Sequence, residues 1–298
     1  MSHEAALEQF RRLNVWRRGD QRAPHKPLLV LYALARWCRG DRDDIPFRDV
    51  DRDLTPLLQD FGPPRQSYHP EYPFWRLQND GVWVVHADGS MSPRRSNSDP
   101  PKGELLAHHA AGGFSEVVKA ALRARPANVP EIATGLLANH FPESIHQDIL
   151  DAVGLDLLGG PAAGRKRDPQ FRQRVLTAYE YRCAVCGFDV RLGTVPIALD
   201  AAHIRWHQAG GPDTEANGLA LYVLHHKTFD LGVFTVSREG ALLVSDHAHG
   251  TTGFHEALLG HHGKRLRPPQ RPEWAPDTAF LAWHGHEVFK GRARHHAV

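Results

Sequence analysis

The apolar positions of the first half recur mostly at helical spacing. Across residues 4–16, Leu7, Phe10, Leu13 and Val15 fall roughly on one helical face. A second helix is predicted over 27–38, with Pro27 at the tolerated first turn and Gly40 just past its end. A third covers 47–61. The period then shortens: Phe74-Trp75-Arg76-Leu77-Gln78 and Val82-Trp83-Val84-Val85 flank Asn79-Asp80-Gly81, which predicts a β-hairpin. Residues 87–102 are polar and read as a long loop. Helical texture resumes near Glu104, near Ser115, after Asn128 and after Pro142, and stops at Gly154. A Gly-rich, basic joint follows at 159–167. Beyond it a helix over 171–179 leads into a cysteine pair and a His-rich region, and 279–284 is expected to pack on the core there. These shifts predict two domains, 1–157 and 169–298, joined by a linker at 158–168, with an α+β fold whose first part is mainly helical.

Composition narrows the function classes. With 41% apolar and 23% charged residues in 298, the chain has the make-up of a folded protein. The longest apolar run, 27–35, is far shorter than the roughly 20 residues of a spanning helix, so no membrane partner is expected. The first residues lack a basic patch followed by an apolar run, and three cysteines form no disulfide framework; a cytoplasmic protein is expected. The net charge is only +2, but 29 of 36 basic residues are arginine. Arginine grips phosphate with a two-pronged fork, which suits nucleic acid. A GC-rich genome gives the same bias, so composition alone does not decide.

Five segments of the second half carry chemistry. They are Tyr181-Arg182-Cys183-Ala184-Val185-Cys186-Gly187, Leu199-Asp200-Ala201-Ala202-His203-Ile204, Gly210-Gly211-Pro212-Asp213, Asn217-Gly218-Leu219-Ala220-Leu221 and His225-His226-Lys227-Thr228-Phe229-Asp230. In this order they resemble the HNH endonucleases, whose ββα-metal core is named for residues that here are His203, Asn217 and His226. The resemblance covers about 170–245 and implies phosphodiester hydrolysis at one divalent cation. It gives His203 the role of general base, since a neutral imidazole takes a proton near neutral pH. His226 and Asp230 are four apart on one helix and able to hold the same ion. Asp200 closes the set if a bulge turns it the right way. Asn217 is expected to bond across the loop and orient the strand carrying His203. One imidazole among oxygens suits Mg²⁺ or Mn²⁺, with Ni²⁺ or Co²⁺ also accepted.

Cys183 and Cys186 resemble half of the structural zinc knuckle of that family. His225 fills one position of the other half, and Tyr222 stands where the remaining ligand belongs. Another histidine such as His207 or a water completes the Zn²⁺ site, or the knuckle is held by packing alone. The histidines at 247, 249, 255, 261 and 262 show no metal spacing.

The first half offers Pro24-His25-Lys26-Pro27-Leu28-Leu29, the run from Tyr72 and Pro73 to Trp83, and Phe141-Pro142-Glu143-Ser144-Ile145-His146. These resemble the sulfur-binding domains of phosphorothioate-dependent McrA-type (type IV) restriction endonucleases. The resemblance implies an apolar cup formed by Tyr72 and Pro73 for a backbone sulfur, with His25, Lys26 and Arg76 contacting the flanking phosphates. Arg94, Arg95 and Asn97 have the side chains that read base edges. The implied function is a modification-dependent endonuclease acting on double-stranded DNA, with a homodimer expected because one ββα core cuts one strand. Two alternatives remain open: a homing or repair nuclease for unmodified DNA, and a catalytically silent DNA-binding regulator.

Overall fold

The computed structural model describes residues 8–15, 21, 23–41, 43–89, 91, 99–157, 168 and 170–295. The chain divides into two units: the first holds most of the chain up to Gly164, the second runs from Arg165 onward and takes in Gly19–Arg22 and Pro142–Ile145. Most of the expected linker lies outside the described residues.

The first unit is built around helix α1 (His25–Cys38), which buries Leu28, Leu29, Val30, Leu31 and Leu34 completely. A helix apolar on every side belongs in the centre of a domain. It packs against α2 (Phe47–Phe61), α3 (Glu71–Arg76), α6 (Asn128–His140) and α7 (His146–Val153). In α2 the residues Phe47, Val50, Leu54, Leu58 and Phe61 are buried at three- and four-residue intervals, while Arg48, Arg52 and Gln59 face solvent. Residues 8–11 are helical, and Phe10 and Leu13 are buried, so the expected first helix is shorter than its pattern. Helices α4 (Lys102–Ala107) and α5 (Glu116–Ala124) complete the unit, and Gly154 ends α7 at a φ of +69°.

The expected hairpin at Asn79-Asp80-Gly81 does not form. Phe74, Trp75 and Arg76 lie in α3, and Leu77–Asp80 continues as a 3₁₀ turn ended by Gly81 at φ +74°. Phe74 and Leu77 are three apart and both fully buried, so one helical face accounts for them. Pro73 sits in the first turn, where its missing N–H is harmless. Strand β2 (Trp83–His86) pairs instead with β3 (Ala111–Phe114), Trp83 opposite Phe114. The sheet order is β1-β3-β2, with β1 at Ile45–Pro46. Two glycines hide β3 from a propensity reading. They are there because the strand is approached closely: a Cβ at Gly112 would lie 2.6 Å from Trp83 Nε1, and one at Gly113 would lie 2.3 Å from Asp44 Oδ1.

The second unit starts with α8 (Phe171–Ala178) and a short hairpin, β4 (Arg191–Leu192) and β5 (Val195–Pro196). Strands β6 (Leu199–His203) and β7 (Gly218–Tyr222) then pair antiparallel in unbroken register, from Leu199 opposite Tyr222 to His203 opposite Gly218. Helix α9 (Val223–Asp230) follows at once, so the three elements make a ββα unit. Behind it lie the pair β8 (Phe234–Val236) and β9 (Leu242–Val244), then α10 (Thr252–Ala257) and α11 (Thr278–Glu287). Val175, Leu176, Ala202, Leu219, Leu221, Phe229 and Phe234 form the shared core. As expected for 279–284, α11 is structural: its buried His284 stacks on Phe229 at 3.6 Å and meets Thr235 Oγ1 at 2.9 Å.

The packing at β3 gives a direct check. Gly112→Ala is expected to destabilise the first unit by about 1–3 kcal/mol, because Trp83 and Phe74 must both move. Chemical denaturation followed by tryptophan fluorescence measures the loss, and an unchanged midpoint contradicts the close approach.

Candidate functional site

The ββα unit positions the chemistry of the second half through a buried amide. Asn217 has no exposed surface. Its Oδ1 accepts from the Arg205 N–H at 2.8 Å, and its Nδ2 donates to the carbonyls of Arg205 (3.0 Å) and Pro212 (2.9 Å). A carboxamide accepts through its oxygen and donates twice through its nitrogen, the set this loop requires. Gly211 makes room for this arrangement, since a Cβ there would stand 1.8 Å from the Arg205 carbonyl oxygen and 2.8 Å from Asn217 Nδ2. The loop between β6 and β7 is thereby tied at both ends, and His203 stands at the end of β6.

His203 lies flat against Phe171, with ring centroids 4.0 Å apart. Its Nε2 is 2.7 Å from Asp213 Oδ1, and Asp213 Oδ2 accepts from the Asp168 N–H at 2.9 Å. Burial pushes the Asp213 carboxyl up, but the Asp168 N–H and His203 outweigh it and hold the group below the ordinary carboxylate range. An ionised Asp213 can only accept, so His203 donates from Nε2. His207 Nδ1 approaches the same carboxylate oxygen at 3.3 Å.

His226 sits between two carboxylates. Nδ1 is 3.3 Å from Asp200 Oδ2 and Nε2 is 3.1 Å from Asp230 Oδ2. Burial disfavours the imidazolium, but the Asp230 and Asp200 charges outweigh it and push His226 up to about 9. The bond to His226 holds Asp200 below the usual range against its own burial. Asp200 reaches His226 from a regular strand, so the bulge expected from the sequence is not needed: residues 200 and 202 share one face of β6. Because the carboxylates meet different ring nitrogens, the three groups do not converge on one point. A cation on Nε2 would find Asp230 beside it, and Asp200 would hold the opposite N–H, the usual carboxylate–histidine–metal relation. The donor set therefore fits a divalent ion. Asp200, His203, His207, His226 and Asp230 all line one cavity.

A second cluster joins Cys183, Cys186 and His225, whose ligand atoms lie within 4.8 Å of one another. Cys183 Sγ is 3.4 Å from His225 Nδ1, and His225 Nε2 donates to the Ala257 carbonyl at 2.8 Å. That outer bond leaves Nδ1 as the ligating nitrogen, and two sulfurs with one imidazole fit zinc. The Cys186 hydrogen bond, helped by His225, holds the Cys183 thiol well below its ordinary range despite burial. His207 does not complete this set: it stands with His203 and Asp213 instead, since all three ligand atoms there also lie within 4.8 Å.

In the first unit, Tyr72 keeps 41% of its surface exposed, while Pro73 beside it in α3 is buried. The Tyr72 ring stacks on His69 at 4.7 Å, and the Arg76 guanidinium lies 5.1 Å from its centroid. Arg76 Nε donates to Asp99 at 2.8 Å, and Lys26 is ion-paired with the buried Asp80. His25 opens α1 at the same end as Lys26.

Comparison with known proteins now identifies the chain. A model of the ScoMcrA-like DNA sulfur-binding domain matches residues 3–158, more than half of the sequence. The chain belongs to that family. An HNH endonuclease model matches residues 183–237, which contain the ββα unit. Among solved structures, the chain is similar to the sulfur-binding and SRA domains of ScoMcrA complexed with phosphorothioated DNA: 25% identity, 54% of this chain and 51% of that one, TM-score 0.46. It is also similar to the sulfur-binding domain of SprMcrA complexed with phosphorothioated DNA (22% identity, 52% of this chain and 95% of that one, TM-score 0.45). A third is the type IV phosphorothioation-dependent restriction endonuclease ScoMcrA (22% identity, 52% and 36%, TM-score 0.41). The chain thus spans about half the length of the first of these. No curated protein matches it.

Of the residues singled out from sequence, the fold brings Asp200, His203, His226 and Asp230 to one cavity and puts Asn217 behind them. Cys183, Cys186 and His225 form a separate group. Tyr72, Pro73 and Arg76 share one short helix; Arg94, Arg95 and Asn97 lie outside the described residues. Asp213 and His207 were missed as partners of His203. Asp213 stood in the quoted Gly210-Gly211-Pro212-Asp213 segment, but only the loop closure shows what it faces.

The raised His226 sets a pH dependence. Protonation of a group whose folded pKa is raised adds stability that is complete below the unfolded value of about 6.5 and disappears as pH climbs through about 9. In metal-free buffer the stability gap between wild type and His226→Gln should shrink over that window, by on the order of 3 kcal/mol. Denaturant titrations at pH 6, 7.5 and 9 measure it; a constant gap contradicts the two-carboxylate arrangement.

Proposed function

We propose that this protein is a modification-dependent (type IV) DNA endonuclease, in which the first unit binds phosphorothioated DNA and the second hydrolyses nearby phosphodiester bonds. The observation that carries the reading is the meeting of His203 and His226 on the walls of one cavity within an HNH domain. The protein's own groups account for the base. Asp213 accepts a hydrogen bond from Nε2–H and Phe171 fixes the ring plane, so Nδ1 carries the lone pair that accepts the proton of the attacking water. Asn217 holds this geometry through the loop. His226 and Asp230, with Asp200 behind the ring, would hold a divalent cation such as Mg²⁺ or Mn²⁺. When bound, the ion supplies charge stabilisation at the phosphate and leaving oxygen. Cys183, Cys186 and His225 hold a structural zinc in this reading.

In the first unit the exposed Tyr72 ring is the apolar surface that sulfur prefers, backed by Pro73. A phosphate oxygen pressed there loses hydration without a hydrogen bond, a penalty of about 2–7 kcal/mol before compensation. Arg76 stands over the same ring but is paired with Asp99, and Lys26 is paired with Asp80, so DNA phosphates would compete with those carboxylates for both cations. The described residues include no helix long and apolar enough to cross a membrane.

Incubation with Mn²⁺ and either thiolated or plain plasmid tests the whole reading. The thiolated plasmid should be linearised and the plain one spared, while equal cutting of both supports a nuclease for unmodified DNA. His203→Ala should abolish cutting and leave DNA binding intact; retained cutting refutes its role as base. Tyr72→Ala should lower the ratio of affinities for thiolated over plain duplex by about 5–30-fold, the equivalent of 1–2 kcal/mol. An unchanged ratio moves the sulfur contact elsewhere.

A further inference from the structure

Two imidazoles and a carboxylate gather at the base, apart from the His226 donor set. Asp213 Oδ1 is 2.7 Å from His203 Nε2 and 3.3 Å from His207 Nδ1, and all three ligand atoms lie within 4.8 Å of one another. Ligands around a tetrahedral zinc with bonds of about 2.0–2.1 Å are about 3.4 Å apart, so small shifts close this set on an ion. Its carboxylate is already oriented, because Asp213 Oδ2 is held by the Asp168 N–H. His207 Nδ1 is buried and makes no hydrogen bond.

We propose that His203, His207 and Asp213 form a second cation site, selective for zinc-like transition ions over Mg²⁺ and Mn²⁺, and that its occupation switches the base off. The selectivity follows from the donors: two imidazoles suit Zn²⁺ or Ni²⁺, whereas Mg²⁺ demands an octahedral shell of oxygens. The switching follows from proton accounting. A neutral imidazole has one lone pair and one N–H. With the N–H on Nε2 and donated to Asp213, the lone pair is on Nδ1. When an ion takes Nε2, the ring proton moves to Nδ1, and the ring has no lone pair left to receive a proton from water. No net proton is released at His203; the ion replaces a hydrogen bond. The consequence for cutting rests on the nuclease reading above, whereas binding of the ion does not.

The test uses the full chain in excess Mg²⁺. Equilibrium dialysis against Zn²⁺ should show His207→Ala binding one equivalent fewer than wild type, with the cysteine cluster unaffected. Nitrogen-15 NMR of histidine-labelled wild type should show both His203 and His207 ring nitrogens shifting on zinc addition, which keeps the question open to decision should the variant not fold. In cleavage with Mn²⁺, zinc should suppress the wild type, and His207→Ala, measured against its own zinc-free rate, should need at least about tenfold more zinc for the same fractional suppression. Unchanged zinc stoichiometry in a folded His207→Ala protein, or His207 resonances indifferent to zinc, overturns the site. Suppression equal in both proteins overturns the switch. If the protein cuts no DNA at all, the nuclease reading fails while dialysis and NMR still decide the site.

Discussion

Three hydrogen bonds made by one fully buried side chain decide where the reactive groups of the second unit stand. Asn217 closes a loop that leaves β6 at His203 and rejoins the sheet at Gly218. Without that amide, the Arg205 N–H and the Arg205 and Pro212 carbonyls would each lose a partner in a part-buried loop. The glycines around it serve the same closure. Gly211 lets the Arg205 carbonyl come near, and at Gly218 a Cβ would stand 2.4 Å from Val175 Cγ2, so β7 can press on α8. Asp213 is carried on this loop. The positions of His203 and of the carboxylate at its Nε2 are therefore one structural fact.

The two histidines of the cavity are treated in opposite ways by their neighbours. His203 meets Asp213 through Nε2, an arrangement that orders a tautomer. His226 meets a carboxylate through each nitrogen, an arrangement that binds a proton tightly and raises the ring to about 9. Identical side chains on packed elements thus sit in different settings: His226 lies between Asp200 and Asp230, and Asp213 meets His203 at Nε2.

Legibility in the sequence followed the range of the interactions. Helix α2 was readable to its ends because its burial period is local, and the i, i+4 relation of His226 and Asp230 was readable because both are on one helix. Asn217 was readable as a loop staple only because the whole series of motifs named the ββα unit. The strand at 74–78 was misread: aromatic residues beside Asn-Asp-Gly carry a hairpin signature, but Phe74 and Leu77 need one helical face to reach the core together. Strand β3 was invisible, since two glycines break the strand signal of Ala-Gly-Gly-Phe and the partner of Phe114, Trp83, lies about thirty residues away. The approach of Asp213 to His203 spans a loop, and loop closure leaves no period to read.

The arrangement around His226 also says what a cation held there would replace. Two carboxylates around a neutral imidazole form a site of net negative charge in a largely buried place, and such a site does not stay empty of positive charge. At neutral pH the proton on His226 answers that need, donated in part to Asp230. Nε2 and Asp230 would hold a divalent ion in place of that proton, with Nδ1–H on Asp200. Affinity for the ion is then a competition with protons, rising with pH until His226 is neutral without it. The carboxylate behind the ring is thus as necessary as the one beside the ion, because it fixes which nitrogen the ion meets.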